Sequence, residues 1–159
     1  DVKRGLLRVV LEVGGRELIL ASFHLKSRYT TDPGDPNGAR QRETEARRIR
    51  DALACDATRH PDAAVLAMGD LNDYATSAPY QRFVLRNRNE LFRELPVSDS
   101  VGEQWTYKNL KKRVYEQVDF TFFLSHSADI REWRSTSGIV DGPEVEIGSD
   151  HRPIFVVFR

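Results

Sequence analysis

Cysteine is nearly absent from this chain: Cys55 is the only one among 159 residues. An internal disulfide framework is thereby excluded, as is a zinc site built from thiolates, while the redox compartment stays undecided. No apolar run approaches the roughly 18 residues that a membrane-spanning helix needs, and no charged-then-apolar leader opens the sequence. A surplus of either charge is missing too. Lys plus Arg and Asp plus Glu both number 24, so the formal net charge is zero and the overall field draws the protein to neither nucleic acid nor an anionic membrane. Any such attraction has to be local. Methionine occurs once, at Met68, and residue 1 is Asp. The expectation is therefore a fragment, a processed form or a shortened one.

What is present suffices for a core. With 159 residues and 40% hydrophobic content, residues 1–159 read as one domain. A chain of this size buries roughly 68–70% of its unfolded surface. Leu7, Val9, Leu11 and Val13 alternate with Arg8, Val10 and Glu12, which is strand periodicity with one wetter face. Gly14-Gly15 supplies a tight hairpin turn. The return strand, Glu17 to Leu25, is almost continuously apolar and predicts an interior strand covered on both faces, with His24 at its end. Taken alone, His24 reads as a locally satisfied structural residue.

Residues 26–39 are dense in turn formers and predict an exposed loop. From Arg40 to about Thr58, Ala46, Ile49, Leu53 and Ala57 fall at helical spacing, with Glu43 placed to pair with Arg47 four residues on. Five arginines between Arg40 and Arg50 are interleaved with Glu43 and Glu45, and read as a solvated face. The run Ala63 to Met68 is too short for a typical helix and predicts a buried strand that ends in Gly69-Asp70-Leu71-Asn72. Open α/β sheets hold their ligands at such strand ends. Asp70 and Asn72 offer oxygen atoms suited to a hard cation and a phosphate, although Gly-Asp and Asn-Asp are also ordinary turn chemistry.

Ser77 and Pro79 predict the N-cap and first turn of a short helix reaching Val84 and Leu85, while residues 87–104 show no clear period. A strand is predicted from Val114 to Leu124, with Val118, Phe120, Phe122 and Leu124 on one face and Gln117, Asp119 and Thr121 on the other. Asp119 is an unusual strand residue that calls for a histidine, an arginine or a metal as partner, unless the strand is an edge with a solvated face. Gly148-Ser149-Asp150-His151-Arg152-Pro153 then leads into a final apolar strand from Ile154 to Phe158. Adjacent Asp150 and His151 at such a junction can present a metal ligand and a proton-handling imidazole to one cleft, or simply form a turn.

Four segments in order, Phe23-His24-Leu25, Gly69-Asp70-Leu71-Asn72, Gln117-Val118-Asp119-Phe120 and Ser149-Asp150-His151-Arg152-Pro153, resemble the endonuclease/exonuclease/phosphatase superfamily with its deoxyribonuclease I-like fold. The resemblance implies an α/β (α+β) architecture: a two-sheet β-sandwich flanked by helices, with a divalent-metal hydrolytic site served by Mg²⁺ or Mn²⁺ at one rim. It also implies roles. Asp150 would ligate the metal, with Asp70 and Asn72 holding the attacking water and contributing to metal and phosphate contact. His151, oriented by Asp119, would act on the scissile phosphate, and His24 would hydrogen-bond a phosphate oxygen. The chemistry agrees, because hydrolysing a phosphate ester at neutral pH needs an activated water, a counter-charge and an acid near the leaving group.

The sequence departs from the family's pattern at its start. Members open with a strand bearing an asparagine and a second bearing a glutamate ligand, and neither stands before Leu6. The chain thus corresponds to the C-terminal portion of the fold, with a missing N-terminal half that would be supplied separately if the site is to be complete. Two functional classes follow. One is a metal-dependent phosphoesterase, first of all a phosphodiesterase or nuclease, whose substrate is either nucleic acid, DNA or RNA, or a lipid or sugar phosphate. The other is a non-catalytic fragment or binding module. Lys108, Lys111, Lys112 and Arg113 beside Trp105, Tyr107 and Tyr115 suit a phosphate backbone and suit a solvated hairpin tip equally well. A serine hydrolase is set aside, since Ser149 lies in Gly-Ser-Asp rather than a Gly-x-Ser-x-Gly elbow.

Overall fold

A computed structural model describes residues 4–125 and 135–158. Asp1, on which the expectation of a shortened chain rests, lies outside the described residues. The elements run β1 (Leu6–Val13), β2 (Arg16–His24), α1 (Ala39–Arg59), β3 (Ala64–Asp70), α2 (Ala78–Val84), β4 (Leu85–Arg86), β5 (Asn89–Glu90), β6 (Phe92–Glu94), β7 (Tyr107–Asn109), β8 (Val114–Glu116), β9 (Asp119–Leu124), β10 (Ser135–Ile139), α3 (Pro143–Gly148) and β11 (Ile154–Phe158). The main sheet has the strand order β1-β2-β3-β9-β6, with β2 and β3 parallel and the other pairs antiparallel. Three two-stranded ribbons, β4-β5, β7-β8 and β10-β11, complete the strand inventory of the described residues.

Local sequence explains the frame. Gly14 and Gly15 take φ of 60° and 77°, so β1 turns into β2 through a two-residue loop that only positive-φ residues close without strain. Parallel pairing of β2 with β3 requires a crossover, and α1 provides it by burying Ala46, Ile49 and Leu53 on the sheet. Ser77 caps α2 as expected, its side chain accepting from Tyr80 N at 3.3 Å. Between sheet and helices sits a phenylalanine cluster. Phe83 stacks on Phe122 at 4.5 Å and meets Phe23 and Phe92 at 5.2 and 5.3 Å, and all four side chains are buried. Each such burial is worth about 1.5–3 kcal/mol. On the opposite face of the sheet, Leu18, Ala64 and Leu66 form a smaller cluster against Val156 and Phe158 of β11.

Several expectations are revised. The strand predicted from Val114 to Leu124 is two strands, because Thr106 Oγ1 accepts from both Val118 N and Asp119 N, at 3.1 and 3.0 Å, where β8 leaves its hairpin and β9 joins the sheet. β9 lies between β3 and β6, so it is no solvated edge. β1 is one edge, and neither of its faces is dry: Leu7, Val9, Leu11 and Val13 are 38–67% exposed on one and Val10 is 52% exposed on the other. β2 is only half covered, with Ser22 and His24 exposed. The arginines of α1 are not all solvated. Arg42 is 1% exposed and donates to Asp73 Oδ2 at 2.9 Å and Asn37 O at 2.7 Å; Arg50 is 6% exposed and donates to Arg82 O and to Leu85 O. A guanidinium fork can satisfy end carbonyls that helix geometry leaves open, which makes these burials tolerable. Glu43, expected to pair with Arg47, accepts instead from Arg82 Nε at 2.6 Å. No described helix is long and apolar enough to cross a membrane.

One position controls how closely the central strands meet. A Cβ on Gly69 would sit 1.9 Å from the carbonyl oxygen of Phe23, at a φ of +155°. Gly69→Ala is expected to cost about 2–3 kcal/mol in urea unfolding by forcing β2 and β3 apart. A loss under about 0.5 kcal/mol would show that the backbone there yields freely.

Candidate active site

Three adjacent strands end together. In the ladder, His24 of β2 is the register partner of Asp70 of β3, and Asp70 is the partner of Asp119 of β9. Backbone bonds continue past the strand ends, with Leu25 N donating to Asp70 O at 2.9 Å and Leu71 N donating to Val118 O at 2.8 Å. This one rung fixes the spacing of three polar side chains on a stiff scaffold. His24 Nε2 lies 3.2 Å from Asp70 Oδ2. Asn72, held at a φ of 54°, folds back so that its backbone N–H donates to Asp70 Oδ1 at 2.6 Å and its side-chain amide donates to Asp70 Oδ2 at 2.9 Å and Leu25 O at 3.1 Å.

His151 arrives from the other end of the chain. A bridge between Tyr107 and His151, with Lys108 N donating to Asp150 O at 2.8 Å and Arg152 N donating to Thr106 O at 2.7 Å, ties the segment before β11 to β7. Buried Arg152 strengthens the tie by lying 3.4 Å over the Trp105 ring and donating to Asp99 Oδ2 at 2.7 Å. So held, His151 Nδ1 reaches Asp119 Oδ2 at 2.8 Å. With a carboxylate accepting there, Nδ1 carries the hydrogen, and Nε2 is the atom left for a substrate. Tyr107 packs against the imidazole at 4.9 Å.

Electrostatics follow from the crowding. Burial, then the facing Asp119 carboxylate, push Asp70 up to about 6. The hydrogen bond that His151 donates to Asp119 raises the imidazole above its ordinary value, against the opposing effect of burial. Burial, then the positive charge of Arg4, lower His24. Arg4, in close contact with His24 Nε2, is therefore part of this surface although it carries no sequence signal. Ligand atoms of Asp70, Asp119 and His151 lie within 4.8 Å of one another, a group able to hold a metal ion. Two facing carboxylates with one forced towards neutrality are short of positive charge, and oxygen donors favour Mg²⁺ or Mn²⁺ over softer ions. Asp150 stands apart from this group, with its side chain exposed.

A cleft of about 600 Å³ opens over these residues. His24, Asp70, Asn72, Asp150 and His151 all line it, and Asp119 stands behind His151. The loop after β2 supplies part of its far wall, as an exposed loop there can. Arg28 donates to Glu116 and to Tyr74 Oη, Tyr74 Oη donates to Glu116 Oε1 at 2.8 Å, and the Arg28 guanidinium lies 4.9 Å over the Tyr74 ring. The hydrogen bond from Arg28 holds Glu116 below the usual carboxylate range. Reading residues 114–124 as one strand hid Glu116 among face residues, whereas the break after it turns the β7-β8 hairpin into a cleft wall, with Lys112 lining it. Lys108 sits 5.7 Å over the Tyr115 ring and Trp105 meets Tyr115 at 4.8 Å.

No protein-family model matches the chain, and no curated protein matches it by sequence. Solved structures do match. Beta toxin from Staphylococcus aureus aligns with a TM-score of 0.72 at 17% identity, covering 98% of this chain and 57% of that one. A further beta toxin structure, with bound magnesium ions, aligns at 0.66 and 15%, covering 87% and 48%. Sphingomyelinase C from Streptomyces griseocarneus aligns at 0.65 and 20%, covering 98% and 57%. Truncated TDP2 from Caenorhabditis elegans aligns at 0.64 and 16%, covering 96% and 58%. These likenesses show the fold, which is the deoxyribonuclease I-like fold of endonuclease/exonuclease/phosphatase-type proteins. The chain spans a little under three fifths of the length of the first structures it matches.

The Asp70 environment sets a pH-dependent stability. Its carboxyl is pushed from 3.8 to about 6, so the folded state binds more protons between those values and loses stability as pH rises through them. In metal-free protein, Asp70→Asn is expected to raise unfolding free energy by about 2–3 kcal/mol at pH 8, with the gain fading below about pH 4. Chemical denaturation at both pH values checks this, and a destabilised variant at pH 8 contradicts it. For the dyad, Asp119→Asn is expected to lower the His151 pKa in an NMR titration of the imidazole; an unmoved value would break the proposed pairing.

Proposed function

We propose that the chain forms the histidine-and-carboxylate portion of a divalent-metal-dependent phosphoesterase site, acting on phosphodiesters and foremost on nucleic acid. The observation that carries this reading is the Asp119–His151 pair standing beside Asp70 at the ends of β3 and β9, within one cleft. Sphingomyelinase C and magnesium-bound beta toxin, which share the fold, support the chemistry at the level of phosphate esters and divalent metal rather than any one substrate.

Each side chain has a task it can perform where it stands. Protonated His151, kept charged by Asp119, can give its Nε2 proton to the departing oxygen; neutral, it can take one from a water. Asp70, held near the pH at which it exchanges protons, can orient and deprotonate a water while Asn72 fixes its carboxylate. His24, lowered by burial, suits a neutral hydrogen bond to a phosphate oxygen. Lys112 lines the cleft as a cation for the flanking phosphate or its neighbour. A divalent cation held by Asp70 and its neighbouring carboxylates, with Asp150 and Asn72 as further donors, would neutralise the phosphate oxygens.

Because the chain spans well under two thirds of the structures it resembles, a non-catalytic module remains the competing reading. Hydrolysis of bis(p-nitrophenyl) phosphate, of a single-stranded and of a duplex oligonucleotide with Mg²⁺ separates the two. The reading proposed here expects activity that a chelator abolishes, and a loss of about 10²–10⁴-fold in kcat for His151→Ala. Asp150→Ala is expected to lose activity as well. Turnover in either variant equal to the parent's overturns the assignment, and no turnover in the parent favours the binding module.

A further inference from the structure

A second concave surface, of about 830 Å³, lies between α1, α2 and the β4-β5 hairpin and shares no lining residue with the cleft. Among the described residues, Arg47, Arg50, Arg82, Arg86 and Arg88 line it, against only Glu43 and Asp51. Five cations and two anions leave a surplus of three positive charges in a chain whose net charge is zero. Both carboxylates are already engaged: Glu43 accepts from Arg82 Nε at 2.6 Å, and Asp51 Oδ1 accepts from Arg50 Nη2 at 2.8 Å. Arg47, Arg86 and Arg88 are exposed, and among the described residues no carboxylate pairs with them. Arg50, buried beneath them, is fixed by the carbonyls of Arg82 and Leu85, so the floor of the groove is rigid.

The hairpin tip adds an independent observation. Arg86 pairs with Asn89, leaving Asn87 and Arg88 as the two turn residues at φ of 52° and 67°. This turn favours asparagine followed by glycine, so an arginine at its second place is held in a strained backbone region. The strain keeps a guanidinium where glycine would be relaxed.

We propose that this groove binds the phosphodiester backbone of nucleic acid, at a site separate from the candidate active site and independent of whether that site is catalytic. Unpaired guanidinium groups spread over a helix and a hairpin tip match successive phosphates on a polyanion. Thr76, Gln81 and Asn87 add neutral hydrogen-bonding groups. Among the described residues no aromatic ring lines the groove, so recognition is of backbone rather than stacked bases. A bilayer is the poorer match, because the surface is concave and Leu85 and Ala78 are the only apolar residues lining it among those described, too little to insert among acyl chains.

The test measures binding of a fluorescently labelled oligothymidine and of a DNA duplex by anisotropy, in excess EDTA so that hydrolysis plays no part. With about three phosphates neutralised, log Kd should rise with log salt concentration at a slope of about 2–3. The Arg47→Ala, Arg86→Ala double variant should weaken binding and lower that slope by about 1.5. Arg88→Gly is the sharper probe: it should melt at or above the parent's temperature while binding more weakly, with the slope reduced by about 0.7–0.9. Oligonucleotide affinity unchanged in these variants overturns the proposal, as does tight binding to phosphatidylserine vesicles with none to either oligonucleotide. Turnover of bis(p-nitrophenyl) phosphate with Mg²⁺ should be unaltered in Arg88→Gly, which keeps a failure of the groove distinct from a failure of the active site.

Discussion

The pairing of β3 with β2 on one side and β9 on the other is the constraint from which the rest of the structure follows. It places Asp70 in register with His24 and Asp119 at once, and it requires Gly69 because no Cβ fits against the Phe23 carbonyl. The phenylalanine layer beneath makes that rung stiff: Phe120 and Phe122 alternate with Asp119 and Thr121, so the same strand that buries rings towards α1 and α2 must carry Asp119 on its other face. Packing on one side thereby sets chemistry on the other. Burying the Asp70 carboxylate, and then facing it with Asp119 on the neighbouring strand, costs stability and pushes its carboxyl up.

His151 is recruited by a different kind of interaction. Its segment is not part of the main sheet, and backbone bonds to Thr106 and Lys108, with the buried Arg152 stacked on Trp105, hold it against β7. Thr106 is the joint between the two systems. Its hydroxyl receives the amides of Val118 and Asp119 while its carbonyl receives that of Arg152, so the acid and the histidine of the dyad are positioned through one residue. By contrast, the outer part of the sheet is thinly covered. β1 exposes Leu7, Val9, Leu11 and Val13, and the β10-β11 ribbon covers only the cluster around Leu18 and Leu66.

Much of this was legible in the residues. Short-range rules located the Gly14-Gly15 hairpin, the α1 crossover, the Ser77 cap and the apolar β3, since each depends on neighbours within a few positions. The partner demanded by Asp119 could be named by type, and the four ordered segments suggested which histidine it was. What periodicity could not register was where a strand stops belonging to one sheet and starts belonging to another. That break, made by the Thr106 hydroxyl, concealed Glu116 and with it the contacts that join Arg28 and Tyr74 to the hairpin. Nor could alternation show that Arg42 and Arg50 reach inward to carbonyls, because a guanidinium on a long stem can leave the face that its Cα position assigns it.

The central claim is that Asp70, Asp119 and His151 make a site short of a cation. Its most direct measurement is the melting temperature of the parent chain and of Asp70→Asn at pH 8, with and without saturating Mg²⁺ or Mn²⁺. The account predicts that the parent gains stability, by about 2.7 kcal/mol at a metal concentration one hundred times Kd, and that Asp70→Asn gains little or none. Equal gains in both proteins, or no gain in the parent, would contradict it.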